Sequence, residues 1–162
     1  MISHKNRGGF LERVIHISNK QYAERNLALI QKIPTPTSIN TRKGTARYSE
    51  KSTVDFTGVS LGTFIAFDAK ETRSKNFPFN RLQPHQETYL KEAHRQKGDA
   101  FILILFTQSN ALYKLSITEY VELRQTLDRK SIPLEWFEQH KREIKSKNGV
   151  YYDYLNIADK YF

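Results

Sequence analysis

The sequence predicts a single α/β domain over residues 1–162, a central mixed sheet flanked by helices, and three observations point to it. The run Ala100-Phe101-Ile102-Leu103-Ile104-Leu105-Phe106 is apolar at every position, as a strand covered on both faces must be. The predicted elements follow the order helix, strands, helix, strand, strand, helix, which sets helices against the sheet. At 38% hydrophobic and 12% aromatic residues, the chain also has enough core formers for one domain of ordinary size and too many for a disordered one.

Along the chain, Gly9 to Asn26 reads as an amphipathic helix, with Phe10, Val14, Ile17 and Tyr22 near helical spacing and no proline. Leu27 to Ile33 reads as a strand, closed by Pro34-Thr35-Pro36. Thr37 to Ser52 is poor in large apolar residues and carries Arg42, Lys43, Arg47 and Lys51 around Gly44, so it is expected to form an inserted, exposed basic hairpin or arm. Thr53 to Val59 and Thr63 to Glu71, separated by Ser60-Leu61-Gly62, read as a β-hairpin. Phe77 and Phe79, on either side of Pro78, are expected to pack in the core rather than stack on bases. Gln83 to Lys97 reads as a helix with Pro84 in its first turn and Gly98 at its end. After the apolar strand come a strand at Ala111 to Leu115, a helix at Thr118 to Leu127 capped by Ser116 or Thr118, and a short terminal helix at Asp153 to Tyr161. Residues 128–150 are polar and give no assignment.

The formal charge of +9, from 26 basic against 17 acidic residues, favours a polyanionic partner such as nucleic acid. The excess is concentrated at the start, with net +6 over residues 1–55 against +2 and +1 over the two thirds that follow. No apolar run approaches the ~20 residues of a membrane-spanning helix, and Met1 to Arg7 is polar, so neither membrane insertion nor secretion is expected. The absence of cysteine excludes disulfides, thiolate metal sites and cysteine nucleophiles, and fits a cytoplasmic protein. Gly-rich phosphate loops, nucleophile elbows and His-Glu-x-x-His zinc motifs are missing too.

The chemistry gathers in the hairpin. Strand alternation through Phe64-Ile65-Ala66-Phe67-Asp68-Ala69-Lys70 sends Phe64, Ala66, Asp68 and Lys70 to one face, and pairing with the preceding strand brings Asp55 near Asp68. Two convergent carboxylates suit a hard divalent cation, and Lys70 beside them could orient a water or stabilise charge on a phosphate. The alternative is an ordinary surface ion pair, but the acid ends a largely apolar strand, where such a pair is out of place.

Five strings in order resemble the RecU family of Holliday junction resolvases of Gram-positive bacteria and their phages. They are Asn6-Arg7-Gly8 with Leu11-Glu12, Pro34-Thr35-Pro36, Ser52-Thr53-Val54-Asp55-Phe56-Thr57-Gly58, Asp68-Ala69-Lys70-Glu71-Thr72 and Pro84-His85-Gln86. The resemblance implies a restriction-endonuclease-like (PD-(D/E)XK) fold and a homodimer that nicks a four-way DNA junction symmetrically, leaving 5′-phosphate and 3′-hydroxyl ends. It implies Mg²⁺ as cofactor, with Mn²⁺ expected to substitute, held by Asp55 and Asp68, and Lys70 as the catalytic lysine. Glu12, Thr53 and Gln86 match polar positions near that site. Arg7, Arg42, Lys43, Arg47 and Lys51 are the expected DNA-binding residues. A strand-exchange protein or a branch-migration helicase is a further expected partner. Two departures stand out: Asp68 occupies a position where many members carry the longer glutamate, and the arm is shorter than the family's stalk. A same-fold nuclease for other DNA and a non-catalytic DNA-binding protein are the alternatives.

Overall fold

The structure, a computed structural model, describes residues 9–34, 37–40, 42–48 and 53–159. Its elements are α1 (Gly9–Glu24), β1 (Leu29–Lys32), β2 (Thr37–Asn40), β3 (Thr45–Tyr48), β4 (Phe56–Ser60), β5 (Thr63–Thr72), β6 (Asn76–Pro78), α2 (Pro84–Arg95), β7 (Asp99–Phe106), β8 (Ala111–Ser116), α3 (Ile117–Thr126), β9 (Ser131–Pro133) and α4 (Leu134–His140), with a 3₁₀ turn at Phe79–Arg81. Five strands form one sheet in the order β1-β4-β5-β7-β8. Strands β5 and β7 run parallel and their other neighbours antiparallel, because the β5 to β7 connection is a crossover containing α2 while β4–β5 and β7–β8 are joined by short turns. This is the mixed sheet flanked by helices that the sequence predicts.

Strand β7 divides the interior in two. Phe101, Leu103 and Leu105 join Phe56, Phe67 and Leu112 beneath α1 and the C-terminal segment, which adds Val150, Tyr154 and Ile157. The rings of Phe56, Phe67 and Phe101 stack in a row across three strands, with centroids 4.9 and 4.8 Å apart. Each such ring contributes about 1.5–3 kcal/mol by burial alone. On the other face, Ala100, Ile102, Ile104 and Phe106 meet α2, α3 and α4 through residues including Leu90, Tyr120 and Phe137. Phe77 and Phe79 lie in that second core. Glu87 of α2 receives two hydrogen bonds from Arg124 of α3, both 2.6 Å, so the two helices cover the sheet as a unit.

Local chemistry sets the hairpin that carries the predicted carboxylates. Leu61 and Gly62 have φ of +49° and +87°, the positive pair that suits the twist of a two-residue hairpin. At Gly58 a Cβ would strike the Leu29 carbonyl oxygen and the Ile30 Cα, so glycine lets β1 approach β4 closely. The arm is described in part: β2 and β3 pair antiparallel, Arg42 and Lys43 are exposed at their turn, and Arg47 stands opposite Ser38. Arg7 and Lys51 lie outside the described residues.

Three expectations differ from the structure. On α1 the buried face is Leu11, Val14, Ile15 and Tyr22, while Phe10 and Ile17 are exposed, so the apolar stripe is rotated from the predicted one. Of the terminal helix expected over Asp153 to Tyr161, the segment from Asp153 to Asp159 forms turns instead, and residues 160–161 lie outside the described residues. Its organiser is the Asp153 carboxylate, which accepts hydrogen bonds from the Tyr22 hydroxyl and from the backbone N–H groups of Ile157 and Ala158. Residues 128–150, left unassigned, hold β9 and α4, whose short lengths give too few periods to read.

Candidate active site

Asp68 is completely buried on β5, in a sheet of aromatic and aliphatic neighbours, and the residues around it satisfy its carboxylate unequally. Oδ1 accepts the Asp55 backbone N–H at 3.1 Å and the Gln86 side-chain amide at 3.2 Å. Oδ2 has no aligned hydrogen-bond donor but lies 2.7 Å from Lys70 Nζ, so charge alone compensates it. Asp55 enters from the residue before β4, and its Oδ2 accepts the Ala69 N–H at 2.9 Å. Each aspartate thus engages backbone of the other's strand, which fixes the two carboxyl groups side by side. Burial first, and then the Asp68 charge, push Asp55 up to about 7. Two carboxyl groups therefore face one ammonium.

Gln86 completes the cluster from the first turn of α2. Its Oε1 accepts Lys70 Nζ at 3.3 Å and the Gln83 N–H at 2.9 Å, so one amide caps the helix and holds both Lys70 and Asp68. Glu12, in the first turn of α1, reaches the same cleft with its carboxylate paired to Lys32 at 2.6 Å. Thr53 is exposed two residues before Asp55 and is not among the residues lining the cleft. The cleft, about 240 Å³, is lined by Leu11, Glu12, Asp55, Ala69, Lys70, Glu71 and Arg81.

Glu71 and Arg81 are the residues that the sequence reading gave no role. The Glu71 side chain accepts the Leu11 N–H at 3.0 Å, docking the start of α1 on β5, and its carbonyl accepts Arg81 Nη2 at 2.9 Å. Arg81 comes from the 3₁₀ turn, which no sequence pattern linked to the hairpin. A larger cavity, about 850 Å³, lies between β8 and the C-terminal segment, and three of its lysines are held in ion pairs, Lys114 with Asp99, Lys141 with Glu119 and Lys147 with Asp159.

The donor set fits a hard divalent cation. Asp55 and Asp68 offer carboxylate oxygens in excess of the local positive charge, and one oxygen of Asp68 lacks a hydrogen-bond donor. Among the described residues no group of three or more His, Asp or Glu side chains is placed to hold one metal ion. Two carboxylates with the remaining positions left to water and substrate oxygens is the usual mode for Mg²⁺, which dehydrates reluctantly.

Fold and cleft together define an α/β protein with a carboxylate pair and a lysine, carried by β5 and by the residue that leads into β4 of a mixed sheet. The chain belongs to the RecU family, recombination protein U, whose sequence profile matches residues 6–160. It is 33% identical over 167 aligned residues to the Holliday junction resolvase RecU of Bacillus cytotoxicus, covering 95% of this chain and 84% of that one. It is 36% identical to the protein of the same name from Limosilactobacillus reuteri, over 95% and 82% of the two chains, and 30% identical to that of Streptococcus pneumoniae, over 96% and 84%. Among solved structures, Hjc of Archaeoglobus fulgidus, a Holliday junction resolvase from an archaeal hyperthermophile, aligns with 80% of this chain and 94% of its own at 13% identity and a TM-score of 0.46.

The crowded carboxylates have a stability consequence. With its folded value near 7 against an ordinary 3.8, Asp55 costs the fold nothing in acid and progressively more as pH rises between those values. Asp55→Asn, which keeps an acceptor for Ala69 N–H, is expected to raise the metal-free protein's unfolding free energy at pH 8 by on the order of 1–3 kcal/mol. The gain should vanish near pH 4. Thermal unfolding of both proteins in EDTA across that range checks it, and a variant less stable than wild type at pH 8 would contradict it.

Proposed function

We propose that this chain is a Holliday junction resolvase, a structure-specific endodeoxyribonuclease that cuts four-way DNA junctions by Mg²⁺-dependent phosphodiester hydrolysis. The single observation that carries the reading is the buried Asp68 held against Asp55 and Lys70, both of which line an open cleft. Relatives named Holliday junction resolvase RecU supply the substrate class. Asp55 and Asp68 would hold the cation, which when bound polarises the scissile phosphate and lowers the pKa of a water. Lys70, fixed by Asp68 and Gln86, directs its ammonium at the negative charge that develops on the phosphate. Gln86 keeps that ammonium in place, and Glu12 closes the cleft on the α1 side.

Paired cuts need two such sites, so the working unit is a homodimer whose twofold axis matches the approximate twofold symmetry of a junction. The arm, with Arg42 and Lys43 at its tip, grips phosphates near the branch point. A cysteine-free chain acting on DNA belongs in the cytoplasm, where a strand-exchange protein or a branch-migration helicase would supply its substrate.

The decisive assay incubates the protein with a labelled mobile junction and with a linear duplex, with and without Mg²⁺. Paired nicks in the junction alone, only with metal, are expected, and Asp68→Asn should slow them by at least about 100-fold while junction affinity in Ca²⁺ stays nearly unchanged. Equal cutting of plain duplex would make the chain a nuclease of broader substrate, and binding without nicking in Mg²⁺ or Mn²⁺ would make it a non-catalytic binder. In gel-shift measurements, reversing charge at Arg42, Lys43 and Arg47 together should reduce the preference for junction over duplex; an unaltered preference would remove the arm from recognition.

A further inference from the structure

Beside the cleft stands a second basic surface, absent from the sequence reading. Strands β6 and β9 form a two-stranded ribbon of three residues each, Asn76, Phe77 and Pro78 opposite Pro133, Ile132 and Ser131. Five cations surround it: Arg73 and Lys75 in the turn from β5, Arg81 in the 3₁₀ turn, and Arg129 and Lys130 just before β9. All five are exposed. Lys75 and Lys130 mark opposite ends, since the Lys75 carbonyl accepts Leu134 N–H at 2.8 Å and the Lys130 carbonyl accepts Phe79 N–H at 3.1 Å. No acidic residue occurs from Thr72 to Gln86, and the nearest in sequence to the other pair is Asp128.

Among the described residues, none of these five side chains makes an ion pair with a carboxylate, whereas Lys32, Lys70, Lys91, Lys114, Lys141 and Lys147 each do. Their backbone is also firmly placed. Phe77 and Ile132 are fully buried beneath the ribbon, the Tyr120 hydroxyl donates to the Phe79 carbonyl at 2.8 Å, and Thr72 and Ser74 side chains brace the turn that carries Arg73 and Lys75. Arg81 and Arg129 are further held by the Glu71 carbonyl and the Asn76 side chain. Cations on a fixed backbone, without carboxylates to give up, bind a polyanion at reduced ordering cost.

We propose that the β6–β9 ribbon is a phosphate-binding platform for a duplex arm of the DNA substrate, seated where that arm leads into the cleft. The proposal rests on the nuclease reading above and names where its substrate lies. Single-stranded nucleic acid is held by cations together with aromatic faces on which bases stack, and here Phe77 of the ribbon and Phe79 of the 3₁₀ turn that follows it are both buried. What remains outside is charge alone, which suits the backbone of a duplex and carries no base readout. Three residues of strand extend about 10 Å, close to the rise of three base pairs at ~3.4 Å per phosphate along one strand. Continuity with the site is direct, because Arg73 follows Asp68 and Lys70 on the path of β5, and Arg81 both lines the cleft and bonds the Glu71 carbonyl.

The test is binding of Lys75→Ala/Arg129→Ala/Lys130→Ala to a junction and to a linear duplex in Ca²⁺ over a range of salt. Loss of three phosphate contacts should flatten the slope of log K against log salt by about 2 to 3 units, for both DNAs alike. A control Lys20→Ala/Lys97→Ala, remote from the ribbon, should leave the slope unchanged. An unaltered slope in the triple variant, or an equal loss in the control, overturns the platform. A footprint on the wild-type protein tests it independently of the variant's folding: bound DNA should protect Lys75 and Lys130, but not Lys97, from acetylation, and equal modification with and without DNA overturns it. Wild-type nicking is measured in parallel. Its absence would sink the nuclease reading, while the salt slope and the footprint would still decide the platform.

Discussion

Everything at the cleft turns on a charge imbalance built into the sheet. Asp68 is wholly buried between apolar neighbours, Asp55 is held against it by reciprocal backbone hydrogen bonds, and the ammonium of Lys70 is the positive charge set directly against them. Burying a carboxylate is costly unless it is paired, and burying two against one cation leaves a deficit that a neutral core would not contain. Protein interiors accept such an arrangement where a ligand repays it, and under the proposed function a divalent cation with water and phosphate oxygens would do so here.

The rest of the fold keeps that imbalance in register. The stacked rings of Phe56, Phe67 and Phe101 lock β4, β5 and β7 side by side on the face opposite Asp68, so neither aspartate can slide relative to the other. Gly58 lets β1 lie close enough to bring Lys32 to Glu12. On the other side, the crossover from β5 to β7 delivers the first turn of α2, and with it Gln86, to the point where Lys70 and Asp68 meet. Glu71, the residue after Lys70, fastens α1 through its side-chain carboxylate, which accepts the Leu11 N–H, and Arg81 through its backbone carbonyl. The strand that carries Asp68 and Lys70, the capping helix and Arg81 are thereby mechanically one unit.

Much of this could be read from the amino acids because it is local. Alternation along β5 put Asp68 and Lys70 on one face, and the positive-φ pair Leu61-Gly62 closes a hairpin short enough that Asp55 must return beside them. The both-face burial of β7 followed from seven consecutive apolar residues. What escaped depends on distant partners. The stripe of α1 was misplaced because Phe10 and Ile17 are as apolar as Leu11 and Ile15, and only the packing beneath the helix decides which pair turns inward. The turns after Asp153 look helical in sequence but are organised by Tyr22, more than a hundred residues earlier. The ribbon's positive charge is invisible to counting, because in the linear chain Glu71, Glu87, Glu92 and Asp99 offset Arg73, Lys75 and Arg81, while in space Glu71 accepts the Leu11 N–H and the other three are paired with other cations.

The most direct measurement of the central claim is a titration of the isotopically labelled protein with Mn²⁺, followed by paramagnetic broadening of backbone amide resonances. Chelation by Asp55 and Asp68 predicts that the amides of Asp55, Asp68, Ala69 and Lys70 disappear first, at substoichiometric metal, and that Mg²⁺ competes the effect away. Broadening that begins elsewhere on the chain, or none at these amides, would contradict it.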